Sequence, residues 1–263
     1  MTEPELLFTQ VLGCRRDALY LDKNLCLTQD QAYFISSALK RRMAGEPIQY
    51  ILGATEFMGF NFKLNKHVLI PRPETEILVE TVLKYAGSLP CHENRILELG
   101  AGSGCVAVSL AKLLPYFKIT STDISREALK IAALNSRLNG VTDNLVFILS
   151  DLFNSLPPFK NRYSMCVSNP PYVTSNDIER LQPEIRFEPR VALDGGIDGL
   201  NFYRRIIDEA SDYLPDQGFL IMEMGFNQRQ AIEEIFCKSG RFKIIEVIRD
   251  YNSLDRVIVA RKG

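Results

Sequence analysis

Residues 96–104 read ILELGAGSG, a short apolar run that passes directly into a glycine-rich turn. The segment that follows, CVAVSLAKLLP at 105–115, has helical periodicity. A strand, a tight turn and a helix in this order are typical of an open α/β sheet, where ligands bind at the carboxyl ends of the strands. Glycines let the turn bend tightly and let a ligand approach the backbone. The start of the helix offers free N–H groups to an anion.

The spacing of the glycines distinguishes between the known ligand-binding turns. A dinucleotide-binding fingerprint needs G-x-G-x-x-G, and its third glycine would fall at Cys105. A P-loop is excluded as well, because no Gly-Lys-Ser/Thr follows. The pattern is G-x-G-x-G, with the acidic Glu98 two residues before Gly100. Asp123 ends the next predicted strand, where a carboxylate can accept hydrogen bonds from both hydroxyls of a ribose. A tight turn without a ligand is the alternative, and Asp123 disfavours it.

A second motif, Asn169-Pro170-Pro171-Tyr172, follows the apolar strand YSMCVS at 163–168. We expect it at the carboxyl end of its strand, beside the glycine turn. The prolines remove two N–H donors and leave carbonyl oxygens. Together with the Asn169 carboxamide, these oxygens can hold both N–H bonds of a planar NH2 group, and Tyr172 supplies a flat face for the group that carries it. A proline-rich loop with an Asn turn is the alternative.

A site that accepts both N–H bonds of an NH2 group suits methylation of an amide or an exocyclic amine. The lone pair of such a nitrogen is delocalised, so the nitrogen is a poor nucleophile. Holding both hydrogens draws electron density onto the nitrogen and orients it. The chemistry would therefore depend on positioning and electrostatics rather than on a base.

The remaining pattern predicts an α/β fold with a doubly wound, mostly parallel sheet of seven strands and an antiparallel edge strand. We expect a small helical N-terminal domain over residues 1–50 and a β-hairpin linker over 51–72. The sheet domain would then cover 73–263. The predicted strands are RILELG, KITSTDI, LVFILS, YSMCVSNP, GFLIMEMG, FKIIEVIRD and RVIVARK.

Composition excludes several classes of protein. The 263 residues are 46% hydrophobic and 24% charged, which is ordinary for a globular chain. With 31 Lys+Arg against 32 Asp+Glu, the net charge is -1, so a strongly basic nucleic-acid binder is not expected. The N-terminus is acidic, and no apolar run reaches the ~20 residues of a membrane span, so a cytoplasmic protein is expected.

The cysteines predict neither a metal site nor a disulfide framework. No two of the six lie at CxxC spacing, and only His67 and His92 could join them as nitrogen ligands. We therefore expect reduced, mostly buried thiols and no bound metal. The cysteines are Cys14, Cys26, Cys91, Cys105, Cys166 and Cys237.

Over essentially its whole length the chain resembles the release factor glutamine methyltransferases, the PrmC/HemK family of class I S-adenosylmethionine-dependent methyltransferases. The motif NPPY alone is shared with N6-adenine methyltransferases of nucleic acids, whereas IPRPETE and EPRVALDGGIDGL point to the glutamine family. The segments that carry the resemblance are EFMGF at 56–60, IPRPETE at 70–76, ELGAGSG at 98–104, SNPPY at 168–172, EPRVALDGGIDGL at 188–200 and EMG at 223–225.

The resemblance implies methyl transfer from S-adenosylmethionine to the N5 amide nitrogen of the glutamine in the Gly-Gly-Gln loop of peptide chain release factors. It also implies that Leu152 packs against the adenine and that Asn169 touches both cofactor and substrate. Asp123 would hold the ribose, and the N-terminal helices would dock the release factor. The methionine part would lie on Gly100, Ala101, Gly102, Ser103 and Gly104. The glutamine amide would be held by Asn169, Pro170, Pro171 and Tyr172, of which Asn169, Pro170 and Tyr172 are the implied catalytic residues.

Three questions stay open at the level of sequence. Arg72 could pair with the methionine carboxylate or could tie the linker to the sheet domain through a salt bridge. Lys40-Arg41-Arg42 could bind phosphate, although a solvated helix end is favoured. A nucleic-acid N6-adenine methyltransferase is the alternative function. The charge balance disfavours this alternative and favours a protein partner. We expect neither nucleic acid nor membrane as a partner, and we expect a monomer.

Overall fold

The computed structural model describes residues 1–87, 89, 94–157 and 163–263, and its first part is helical. Thr2 and Thr28 each cap the helix that follows them, and both form a capping box with the residue three positions on. The helices pack around a small apolar core that includes Leu7, Ile35 and Ile48. Their bounds are α1 (Glu3–Leu12), α2 (Ala18–Leu21), α3 (Gln29–Met43) and α4 (Ile48–Leu52). Helix α4 thus runs across position 50.

The predicted hairpin follows, with strands β1 (Ala54–Phe57) and β2 (Phe60–Lys63) paired antiparallel. Phe57 and Phe62 are buried in the core of the sheet domain and meet edge to face, with 6.1 Å between their ring centroids. The backbone of Lys63 exchanges two hydrogen bonds with the side chain of Asn135. The hairpin is therefore fixed to the sheet domain.

The large sheet has seven strands in the order β5-β4-β3-β6-β7-β9-β8. The strands are β3 (Arg95–Leu99), β4 (Lys118–Asp123), β5 (Leu145–Leu149), β6 (Met165–Ser168), β7 (Phe219–Glu223), β8 (Phe242–Arg249) and β9 (Asp255–Lys262). All pairs from β5 to β7 are parallel, and β9 runs antiparallel to both of its neighbours. The predicted mostly parallel sheet with antiparallel pairing at one edge is confirmed, and β8 takes the outermost position.

Helices cover both faces of the sheet, as a doubly wound fold requires. Ile96 of β3 points into one apolar core, while Leu97 and Leu99 point into the other. The first core contains α5 (Pro73–Ala86) and α6 (Cys105–Leu113), with α7 (Arg126–Leu138) beside α6. The second contains α8 (Asn201–Glu209) and α9 (Arg229–Ser239). The chain order reverses between β3 and β6, so the crevice at their carboxyl ends is where a ligand is expected.

The thiols differ in part from expectation. Among the described residues, Cys14, Cys26, Cys105, Cys166 and Cys237 are free thiols, whereas Cys91 and His92 lie outside the described residues. Cys166 is buried, but Cys26 and Cys237 are exposed, so the expectation of mostly buried thiols is wrong. Within the described ranges there is no group of three His, Cys, Asp or Glu side chains arranged to hold a metal ion. The same residues include no helix long and apolar enough to cross a membrane.

Candidate cofactor and acceptor site

The glycine turn between β3 and α6 needs glycine for reasons of both conformation and space. Gly100, Gly102 and Gly104 have φ of 86°, 53° and 81°, a region that side chains disfavour. A Cβ on Gly104 would lie 3.0 Å from Cα and Cβ of Ala132 on α7, so this glycine lets two helices approach. A Cβ on Gly102 would meet nothing within 4 Å, so space is open beside it.

Asp123 at the end of β4 is tied to this turn. Its Oδ2 accepts a hydrogen bond from the N–H of Gly102, and its Oδ1 accepts one from the N–H of Ser125, both at 2.8 Å. Burial raises the pKa of Asp123, and the two N–H donors oppose that shift. Each carboxylate oxygen retains a further lone pair. The residue lines the cavity in front of the turn and can therefore accept ribose hydroxyls.

The N-terminus of α6 is available to an anion. Its N-cap residue is Gly104, which has no side chain to cap the first turn. Glu98 takes up the N–H of Ala107 and accepts a hydrogen bond from the hydroxyl of Ser121. Burial raises the pKa of Glu98 to about 8. Cys105 and Val106, which begin this turn, line the cavity, so a carboxylate bound there would lie at the positive end of the helix.

Most of the predicted site residues line one cavity. Gly104 and Tyr172 are not among its lining residues: Gly104 lies behind the turn against Ala132, and the Tyr172 ring packs on the second core, near Gly225. The proposed contact between Tyr172 and the acceptor group stays a prediction. The predicted residues that line the cavity are Gly100, Ala101, Gly102, Ser103, Asp123, Leu152, Asn169, Pro170 and Pro171.

Hydrogen bonds to neighbouring segments hold the NPPY motif in place. Ser168 Oγ donates to the carbonyl of Leu99, at 2.8 Å, and Asn169 Nδ2 donates to Thr75 Oγ1, at 3.1 Å. The segment at 188–200 runs alongside, where the N–H of Val173 donates to the carbonyl of Leu193 at 2.9 Å. These bonds fix Asn169, Pro170 and Pro171 beside the glycine turn, in the same cavity.

Sequence reasoning missed several residues that line the cavity. Phe202 and Arg205 face it from α8, and Arg205 pairs with Asp151 at 2.9 Å. Both follow GGIDGL at helical spacing, so the periodicity of that segment could have indicated them. Thr75 also lines the cavity and lies within IPRPETE, three residues after Arg72.

The open question about Arg72 has a structural answer. Its Nη2 lies 2.5 Å from Oε1 of the buried Glu188, and Glu188 also accepts a hydrogen bond from the N–H of Ile70. Arg72 does not line the cavity. The structure therefore supports the salt bridge between linker and sheet domain over a contact with the methionine carboxylate.

The basic cluster at residues 40–42 is largely neutralised. Arg41 pairs with Glu46 at 2.5 Å. Arg42 pairs with Glu3 at 2.8 Å and with Glu184 at 3.1 Å, which joins α3 to the loop beyond the NPPY motif. These ion pairs favour a structural role over phosphate binding.

These features fit S-adenosylmethionine, since the cavity joins an open glycine turn, a free helix N-terminus for a carboxylate and an acid for ribose. They define a class I S-adenosylmethionine-dependent methyltransferase. Residues 73–185 match the family model described as "Methyltransferase small domain", and residues 2–53 match "PrmC N-terminal domain". The solved structure of the hMettl16 catalytic domain in complex with a MAT2A 3'UTR hairpin has the same fold. Its TM-score is 0.65 at 15% identity, over 90% of this chain and 93% of that one.

Curated relatives narrow the class to a family. The release factor glutamine methyltransferase of Thermodesulfovibrio yellowstonii is 43% identical over 99% of this chain and 92% of that protein. The protein of the same name from Coxiella burnetii is 41% identical over 99% of this chain and 91% of that protein. The chain belongs to the release factor glutamine methyltransferase family.

Proposed function

We propose that this enzyme transfers a methyl group from S-adenosylmethionine to the N5 amide nitrogen of the glutamine in the Gly-Gly-Gln loop of peptide chain release factors. One observation carries the proposal: Asn169, Pro170 and Pro171 line the same cavity as the glycine turn and Asp123. An acceptor amide and a cofactor would therefore meet there. Family membership supplies the identity of the acceptor.

The cofactor would be held by the predicted set of residues. The backbone of the glycine turn, from Gly100 to Gly104, would contact the methionine part, and the free N–H groups of α6 would receive its carboxylate. Asp123 would accept the ribose hydroxyls. Leu152, at the cavity edge, would pack on the adenine, together with Phe202. When bound, the cofactor supplies an electrophilic methyl group on a sulfonium.

The acceptor amide would be oriented by the residues at the end of β6. Asn169 Oδ1 and the Pro170 carbonyl would accept the two N–H bonds of the glutamine carboxamide, which draws electron density onto the nitrogen. Pro171 would keep the second carbonyl in place, and Tyr172 would flank the side chain. The rate acceleration then comes from holding a weak nucleophile in line with the methyl group.

The alternative is an N6-adenine methyltransferase of DNA or RNA, since adenine presents a similar planar amino edge. An enzyme that flips bases must also hold phosphates. Arg41 and Arg42, from the compact basic cluster, are already paired with glutamates, and the net charge is -1. These charges favour a protein substrate and disfavour a nucleic-acid partner.

The proposal assigns roles to the parts of the chain as well. Residues 1–50 would form the docking domain for the release factor, 51–72 the linker, and 73–263 the methyltransferase domain. A monomer suffices, because every residue proposed for the site comes from one chain. Release factors act at ribosomes, so the proposal carries a cytoplasmic location with it.

The test is methyl transfer from labelled S-adenosylmethionine to purified release factor, with a DNA duplex and an RNA hairpin as competing acceptors. We expect label in the release factor, and none when its loop glutamine is replaced by alanine. Asn169→Ala is the matched enzyme control. Label in the duplex or hairpin, with none in the factor, would favour the alternative.

A further inference from the structure

A buried glutamate behind the acceptor site has no role in the mechanism above. Glu223 ends β7, is 1% exposed, and its Oε2 lacks a hydrogen-bond partner. Burying a carboxylate costs free energy unless the group is paired. Its presence at the carboxyl end of the strand next to β6 therefore needs an explanation.

Glu223 lies next to Asn169, because β7 pairs with β6 and Met222 is opposite Ser168. The side chains of Thr75 and Asn169 lie near its carboxylate and lower its pKa. Asn169 Nδ2 also donates to Thr75 Oγ1 at 3.1 Å. Three elements meet here: the end of β7, the first turn of α5 and the loop after β6.

The direction of these bonds follows from the chemistry of the groups. An ionised carboxylate only accepts hydrogen bonds, so the Thr75 hydroxyl beside Glu223 would donate to it. The lone pairs of Thr75 Oγ1 are then free to accept from Asn169 Nδ2. Nδ2 of the Asn169 carboxamide is thereby held by Thr75, and Oδ1, on the opposite side of the group, is left for the acceptor.

We propose that Glu223 is a positioning residue that acts through Thr75 to keep the Asn169 carboxamide turned with Oδ1 toward the acceptor amide. This inference rests on the proposed function, in which Asn169 Oδ1 accepts an N–H bond of the glutamine. A carboxamide turned the other way would present an NH2 group to the substrate NH2 and repel it.

The ionisation of Glu223 makes the arrangement sensitive to pH. Burial raises the pKa of this carboxyl to about 7. Glu74 on α5 contributes to this rise, and Arg256 on β9 opposes it. A protonated Glu223 could donate to Asn169 Oδ1 and reverse the chain of hydrogen bonds. Burial raises the pKa values of Tyr172, Tyr203 on α8 and Cys105 on α6, and the charge of Glu223 adds to each rise.

The test is a double-mutant cycle of Thr75→Val and Glu223→Gln, measured as kcat on release factor. Each single change should lower kcat by about ten- to hundredfold, as expected for one hydrogen bond to a charged group. The affinity for S-adenosylmethionine should stay within a few-fold. Thr75 and Glu223 act on Asn169 in series. The double variant should therefore lower kcat no further than the more damaging single variant does. If the fold-decreases in kcat of the two single variants multiply in the double variant, the proposal is overturned.

Two variants of α5 serve as controls. Thr75→Ser keeps the hydroxyl and should retain kcat within a few-fold of wild type. Thr81→Val removes a buried hydroxyl from the same helix, where it donates to the Ile77 carbonyl, and should leave kcat unchanged. If Thr81→Val lowers kcat as much as Thr75→Val, the effect is structural and the proposal fails.

The pH profile separates positioning from packing. In the wild type, kcat/KM for the release factor should fall as Glu223 is protonated at low pH, and this acid limb should be absent in Glu223→Gln. An unchanged acid limb in that variant would contradict the proposal.

A substrate-free measurement separates this inference from the proposed function. The side-chain amide signals of Asn169 can be assigned by 15N NMR as those missing in Asn169→Ala. We expect slow hydrogen exchange of both protons in the wild type and faster exchange in Thr75→Val and Glu223→Gln. If this exchange pattern is found but the enzyme does not methylate release factor, the positioning of Asn169 is supported and the proposed function is refuted. Equal exchange in all variants would refute the positioning.

Discussion

Gly104→Ala tests how the cofactor turn is built. The new Cβ would lie 3.0 Å from Cα and Cβ of Ala132, at a φ of 81°. The left-handed conformation costs about 1–2 kcal/mol for a residue with a Cβ, and overpacking of a tight contact adds about 1–3 kcal/mol. The free energy of unfolding should therefore fall by about 2–5 kcal/mol, a large share of the total for a domain.

Two other glycines provide matched controls. Gly140→Ala places a Cβ at φ 68° with nothing within 4 Å, so it should cost only about 1–2 kcal/mol. Gly102→Ala has similar freedom at φ 53°, but its Cβ enters the cofactor cavity. We expect Gly102→Ala to lose stability like Gly140→Ala and, in addition, to lose affinity for S-adenosylmethionine.

Urea unfolding followed by circular dichroism gives the stabilities, and calorimetry gives the cofactor affinities. The reasoning is refuted if Gly104→Ala is no less stable than Gly140→Ala. It is also refuted if Gly102→Ala binds S-adenosylmethionine as tightly as the wild type.

Three further variants test the site. Asp123→Ala leaves the ribose hydroxyls without their acceptor and should weaken S-adenosylmethionine binding about ten- to hundredfold, measured by calorimetry on the folded variant. Asn169→Ala should lower kcat by about 10²–10³-fold, by analogy with loss of one preorganised hydrogen-bonding group; a kcat within a few-fold of wild type would leave NPPY a structural loop. Glu98 has a pKa raised from 4.5 to about 8 on folding. The folded state therefore binds its proton more tightly, and this residue's contribution to stability falls as the pH rises from about 4.5 to 8. Relative to Glu98→Gln, the wild type should lose about 3 kcal/mol of unfolding free energy between about pH 5 and 7.5, measured by urea titration.

The parts of the fold that sequence predicted are those specified by local pattern. The strand and turn at 96–104 combine an apolar run with glycines at fixed spacing, and the structure gives all three of those glycines positive φ. The hairpin was evident from aromatic and branched residues around Gly59. The NPPY motif lies at a strand end because the prolines cannot extend the parallel pairing of β6.

The parts that sequence did not predict depend on contacts between distant residues. Thr75 and Asn169 are 94 positions apart, and Arg42 and Glu184 are 142 apart. Periodicity describes which face of an element is buried, but it carries no information on which distant side chain meets it. The role of Glu223 also depends on strand order, because β7 lies beside β6 only in the folded sheet.

Peptide mass spectrometry of release factor after reaction with the enzyme and S-adenosylmethionine shows directly which atom is methylated. We expect one added methyl group on the side-chain amide of the glutamine in the Gly-Gly-Gln loop, with none in the Asn169→Ala reaction. A methyl group on another residue of the factor, or methyladenine in a nucleic acid with an unmodified loop glutamine, would contradict the proposed function.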